Sequence, residues 1–321
     1  VSNPDRVLDI LTAQGNRLPA LSELLHGEIW SLDRFQKLDP VGYLEEGERQ
    51  VHQIEEVVLT AAPSLYDEMT AASLQSPKLM DLFASGRKIA IVILDGASIR
   101  ELPLLEHLAA STGFGIIESQ YSVAALPSDT EYFIEQRILG KRLAPSQLPG
   151  RHELMDRGVG SLYYDSPVRT FDLQNNKSYL LWSHFPDGTY KDLSARFSSH
   201  FTEMRKLFDT VWKNIVLTIP KEYEIMITSD HGYIFFGPEL ESTVLTEAPR
   251  LLNNDRFRFY SNDEPLPSDV PELQLLGDRR LAMLRGRIKN RPQGPAGNKA
   301  YRHGGMSLME MLTPWLVINR M

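Results

Sequence analysis

The run Ile89–Leu94, "IAIVIL", constrains this chain more than any other stretch. It is entered from Arg87-Lys88 and stopped by Asp95-Gly96. A continuous apolar run of that length reads as a strand covered on both faces. The pattern that follows keeps the rhythm. A helix is expected over about 99–110, a second strand in "FGIIESQYS" and a helix in "DTEYFIEQRILG". A third strand is expected in "KSYLLWSH", then a long amphipathic helix in "DLSARFSSHFTEMRKLFDTVWKNIV". "EYEIMITSD" and "TPWLVIN" read as a fourth and a fifth strand. Strands alternating with helices predict an α/β domain with a mostly parallel sheet flanked by helices.

Residues 1–86 read differently. "DRVLDILTAQG", "LPALSELLHGEIWSLDRFQKL" and "EEGERQVHQIEEVVLTAAPSLYDEMTAASLQ" repeat apolar residues at helical spacing and hold no catalytic cluster. They predict a helical N-terminal region, a platform or a surface for docking partners, ahead of a domain over 87–321. Within that domain, residues from about 238 to 300 are rich in Pro, Gly, Asn and Asp and read as an irregular insertion of the kind that forms lids.

Composition removes several function classes. The chain has no cysteine, which excludes disulfide scaffolds, thiol catalysis and thiolate metal sites. Any transition metal must be held by histidine and carboxylate. A net charge of -8 argues against a generic nucleic-acid-coating surface and leaves a local basic site open. No apolar run approaches the roughly 18 residues of a membrane span, and the N-terminus lacks a basic-then-apolar signal pattern. The expectation is a cytoplasmic protein with no membrane partner. The sequence begins at Val1, so a trimmed chain or a piece of a longer protein is expected.

In open α/β sheets ligands bind beyond the carboxyl ends of the strands. Asp95 follows the first strand; Ser128 and Thr130 follow the second; His184 and Asp187 follow the third; Asp230 and His231 follow the fourth; His303 precedes the last. Oxygen and nitrogen ligands recur at one end of strand after strand. Each residue also has a plainer reading. Asp95-Gly96 and Asp187-Gly188 fit ordinary turns. Ser128 with Glu131 fits a helix-capping box. Thr130 fits a first helical turn, where its hydroxyl is also placed to act as a nucleophile. His184 fits a core histidine. Gly304 and Gly305, after His303, would let backbone approach a metal or ligand closely. Arg100 and Arg302 are candidate phosphate clamps or ordinary surface arginines. Two divalent cations need about six to eight ligands mixing carboxylate and imidazole, which this set supplies.

"VILDGASIRELP", "LPSDTEYF", "MITSDHGYIFFG" and "RHGGMSLMEMLTPWLVI" together resemble the PglZ domain, a family of the alkaline phosphatase superfamily. The resemblance covers roughly residues 87–321. It implies a phosphatase-like α/β core with a two-metal site, usually zinc, and a place in BREX-type phage defence or beside response-regulator receiver domains. By the same resemblance Asp95, Asp230, His231 and His303 match metal ligands, and Thr130 matches the nucleophile. Asp187 is the match for a further ligand, with Asp192 its rival. The family's following histidine is missing after Asp187, a gap His184 would fill. Ser128, Arg100 and Arg302 are the candidates for contact with substrate. The sulfatase Cys/Ser-x-Pro-x-Arg pattern is absent, as is the large insertion of a cofactor-independent phosphoglycerate mutase.

Two functions follow as expectations. The first is a metal-dependent phosphodiesterase acting on nucleotides or nucleic acid. The second is a catalytically weak metal-binding scaffold in a defence or signalling complex, docked through the N-terminal helices. "RRLAMLRGRIKNR", Arg279–Arg291, has six basic residues and no acid. It reads either as a surface for an oligonucleotide or as an exposed basic helix.

Overall fold

The structure, a computed structural model, describes residues 4–173, 177–190, 197–236, 240–294 and 300–321. Helices come first: α1 Pro4–Thr12, α2 Leu18–Leu24, α3 Leu32–Lys37, α4 Pro40–Ala61, α5 Leu65–Gln75 and α6 Leu79–Leu82. Asp39 caps α4 by accepting from the N–H groups of Val41 and Gly42, and Pro40 fills its first position, where no N–H is needed. Then follow β1 Ile89–Asp95, α7 Leu102–Ser111, β2 Phe114–Val123, α8 Thr130–Phe133, α9 His152–Met155, β3 Val159–Tyr164, β4 Ser178–Pro186, α10 Asp187–Tyr190, α11 Phe197–Asn214 and β5 Glu224–Thr228. The last stretch holds β6 Ile234–Phe235, α12 Ala248–Leu251, β7 Phe257–Phe259, β8 Leu273–Leu276, β9 Leu281–Leu284, β10 Tyr301–Arg302, α13 Leu308–Met311 and β11 Leu312–Arg320.

The central sheet has six strands in the order β2-β11-β5-β1-β4-β3. β1 pairs parallel with β4 and β5, and β3 with β4. β11 runs antiparallel to both β2 and β5. Fold class is therefore α/β with a mostly parallel sheet, preceded by helices. β1 is buried along its whole length, as its unbroken apolar run requires. Its even-numbered side chains, Ala90, Val92 and Leu94, join a core shared with α2, α4, α5, α7 and α11. Its odd-numbered side chains, Ile89, Ile91 and Ile93, join a second core with Phe133, Ile134 and Ile138. The sheet is the middle layer of three.

Three sequence expectations change. β3 was not anticipated: "VGSLYY" carries Gly and Ser and sits at the sheet edge, so its apolar signal is short. The insertion is not irregular throughout, since β7, β9 and β8 form an antiparallel sheet. The basic run lies on this sheet and is no exposed helix. Leu281–Leu284 is a buried strand, and Arg287 is fully buried. Arg287 pairs through Nη2 with Glu48 at 2.7 Å and through Nε with Glu55, both on α4. Glu48 also pairs with Arg100 at 3.0 Å. These groups bind the insertion and the N-terminal helices to the sheet. No helix among the described residues is long and apolar enough to cross a membrane.

Removing one partner of a buried charge set leaves the others uncompensated. Arg287→Ala is expected to cost about 3–5 kcal/mol, read as a lowered urea midpoint with an unchanged m-value.

Candidate metal centre and cleft

Parallel strands bring their carboxyl ends to one edge. Asp95 continues the alternation of Ile89, Ile91 and Ile93, and His184 that of Leu180 and Trp182. The two meet: Trp182 Nε1 donates to Asp95 Oδ2 at 3.2 Å, and His184 Nδ1 lies 3.4 Å from the same oxygen. Ser229 ties the ends of β5 and β1 by accepting from Ala97 N at 2.9 Å and donating to Leu94 O. Asp230 is then fixed by Gly96 N, which donates to its Oδ1 at 3.0 Å. Gly96 has φ +82°, and a Cβ there would stand 3.3 Å from Asp187 Cβ, so only glycine turns the chain here without strain.

Two groups of ligand atoms result. Asp95, Asp230 and His231 bring one atom each to within 4.8 Å of one another, and so do Asp95, His184 and Asp187. Asp95 belongs to both. His231 Nδ1 pairs with the Gly232 carbonyl at 2.9 Å, which assigns the proton to Nδ1 and leaves Nε2 facing Asp95 and Asp230. Thr130, opening α8, donates from Oγ1 to Asp230 Oδ2 at 2.6 Å and lies 3.3 Å from His231 Nε2. His303 stands beside both groups. Its ring stacks on His231 at 4.1 Å, and its Nε2 is 4.0 Å from Asp187 Oδ1.

The cleft over these residues has a volume of 520 Å³ and is lined by Asp95, Asp129, Thr130, Glu131, His184 and Asp187, with Tyr132, Tyr163 and Phe257. Among the described residues its lining contains carboxylates and no lysine or arginine. Burial first, then the Asp95 carboxylate, push the Tyr163 hydroxyl up to about 12. Burial alone would lower the His231 pKa, but the charges of Asp230 and Asp187 hold it above its ordinary value. Burial and then the neighbouring His231 lower that of His303. Clustered carboxylates with imidazole nitrogens turned inward are a donor set suited to divalent cations.

The gap after Asp187 has a physical counterpart. A Cβ on Gly188 would lie 2.5 Å from His184 Cδ2. The glycine makes room for the His184 imidazole between Asp95 and Asp187. Asp192 lies outside the described residues.

Several expected residues sit elsewhere. Asp129, not Ser128, is the cap of α8, accepting from Glu131 N. Ser128 is fully buried, donating to Gly305 O at 2.8 Å and accepting from Gly304 N at 3.1 Å. Arg100 is fully buried, paired with Glu48 and donating to Tyr233 O at 2.7 Å. Arg302 is buried and donates to Tyr301 O. None of the three lines the cleft. Gly304 and Gly305 admit protein, not a ligand. A Cβ on Gly305 would meet the Arg256 guanidinium at 2.5 Å, and one on Gly304 the Phe257 ring at 2.8 Å. Arg256 forms a fully buried two-point pair with Glu310 at 2.6 and 2.7 Å, and Glu310 accepts from Gly305 N and Ser307 N. Sequence reading missed Trp182, Ser229 and Arg256. Strand parity with His184 would have found Trp182; no local signal marks Arg256.

No family model matches the chain, and no curated protein matches it in sequence. Among solved structures the chain is similar to murine ectonucleotide pyrophosphatase/phosphodiesterase 5, at 12% identity and TM-score 0.43. The alignment covers 72% of this chain and 88% of that one. An inactive variant of the same protein in complex with AMP aligns over 87% of its length, with the same identity and score.

Two outcomes are expected of metal binding. The raised pKa of His231 means that protons compete with a cation from above the ordinary imidazole range downward. Metal retained on dialysis should therefore fall steadily between about pH 7.5 and pH 5; constant content would remove His231 as a ligand. Gly188→Ala should displace His184 and lower the affinity of the Asp95–His184–Asp187 group for a divalent cation by about tenfold or more, read by calorimetry.

Proposed function

We propose that the cleft is the active site of a metal-dependent phosphoester hydrolase acting on phosphodiesters of nucleotides or nucleic acid, with Thr130 as nucleophile. One observation carries the reading. The Thr130 hydroxyl opens onto an acidic cleft while hydrogen-bonded at 2.6 Å to a carboxylate of one metal-ligand group, and that group shares Asp95 with the other. Asp95, Asp230 and His231 would hold one cation. Asp95, His184 and Asp187, with His303 alongside, would hold a second. Bound there, divalent cations neutralise the carboxylates, favour the threonine alkoxide and offset charge on a phosphoryl oxygen.

The chain's own groups do the rest. Asp230 accepts the Thr130 proton and keeps Oγ1 aimed out of the sheet edge. Thr130 Oγ1 forms a bond to phosphorus as the ester oxygen leaves and takes up a proton. Water then cleaves the phosphothreonine, releasing the phosphomonoester and restoring the hydroxyl. Tyr163 stays protonated through the physiological range, so its O–H is able to donate toward a substrate oxygen.

The motif resemblance extends the proposal to a zinc-dependent PglZ-type domain over 87–321 in a cytoplasmic phage-defence complex, docked through the 1–86 helices. A second reading, a metal-binding scaffold without turnover, is favoured by the displacement of Arg100 and Arg302 from the cleft, which leaves no cationic side chain among its described lining residues to hold phosphate. Thr130→Ala decides between them. It should lower hydrolysis of bis-(p-nitrophenyl) phosphate by a factor on the order of 10³ or more while calorimetric metal binding persists. Turnover equal to wild type would sink the nucleophile assignment, and metal binding without any wild-type turnover would establish the scaffold.

A further inference from the structure

The acidic floor of the cleft says nothing about what flanks the phosphoester, but one of its walls does. β7 comes from the insertion, and its period of two puts Phe257 and Phe259 on one face. Tyr132, in the first turn of α8 two residues after Thr130, meets both. Its ring stacks on Phe259 at 5.1 Å and 19°, and stands edge-on to Phe257 at 5.9 Å and 86°. Tyr132 and Phe257 line the same cleft as Thr130. The wall is continuous with the site, because Phe257 packs over Gly304 beside His303. Its outer end is open. Phe259 is 39% exposed. Arg142, itself exposed, donates to Tyr132 Oη at 3.1 Å, with its guanidinium carbon 5.4 Å from the ring centroid.

A strand that only needed seating on the core would bury both phenylalanines. Leaving one aromatic well exposed, stacked on a tyrosine that lines the cleft and meets an arginine, is the composition of a stacking platform. Within the 279–291 run, Arg287 is buried in ion pairs, Arg285 is bound to Gln274 and Arg280 donates to the carbonyls of Tyr260 and Ser261. We propose that Tyr132, Phe257 and Phe259, with Arg142 at the rim, form a subsite for the planar aromatic base of a nucleotide whose phosphate faces Thr130. The proposal rests on the cleft being a phosphoester site, and it gives the insertion a role in substrate choice.

The test compares AMP with ribose 5-phosphate by calorimetry, with hydrolysis of methyl p-nitrophenyl phosphate measured in parallel. AMP is expected to bind about tenfold more tightly than ribose 5-phosphate. Phe257→Leu and Phe259→Ala should each remove most of that advantage and leave ribose 5-phosphate binding unchanged. Equal affinity of the two ligands for the wild-type protein would overturn the subsite, independently of how any variant folds. An AMP preference that survives both substitutions would overturn its assignment to this wall. If methyl p-nitrophenyl phosphate is hydrolysed in either case, the phosphoesterase reading stands and the subsite alone falls. No turnover and no binding of either ligand would bring down both.

Discussion

A carboxylate buried at the end of the central strand, Asp95, sets the terms for the rest of the molecule. Taking a charge out of water is costly unless it is paired. The surroundings of Asp95 answer that cost with groups that include the Trp182 N–H and two imidazoles, and they add Asp187 and Asp230 nearby. Like charges packed this closely oppose one another. The arrangement makes physical sense as a receptacle for positive charge. Both candidate ligand groups pivot on the one residue, so the spacing of any two cations follows from where β1 ends.

The fold keeps that edge in place. β1 lies between β5 and β4, so the ends of three parallel strands converge. The antiparallel β11 begins at the same edge, which is how His303, just before it in sequence, reaches the site. The polar parts of the scaffold are buried Arg–Glu pairs. Arg256 and Glu310 grip the loop after His303, and Arg287 joins the insertion to Glu48 and Glu55 of α4. Helices, insertion and sheet thus share one buried electrostatic framework, although most of their contact is apolar.

Strands, helices and the acids and imidazoles at strand ends were readable because each is a local property. A buried strand must be apolar throughout, and Asp95-Gly96 or Asp230-His231-Gly232 interrupts such a run abruptly. β3 escaped because an edge strand needs no continuous apolar face. The basic run misled for a similar reason. Charge density along a chain does not reveal whether arginines face water or buried glutamates more than 200 residues away.

By itself the sequence determined the alternation of elements, the absence of any thiol ligand, and the set of acids and imidazoles at strand ends. These follow from side-chain periodicity and composition. Only the tertiary structure decided which of them meet. It placed His184 against Asp95 through the room left at Gly188, turned Ser128, Arg100 and Arg302 inward as structural partners, and carried Phe257 from a distant insertion to the cleft wall. The reason is that ligand geometry and burial depend on strand order and on contacts between segments far apart in sequence, and neither is encoded in local spacing.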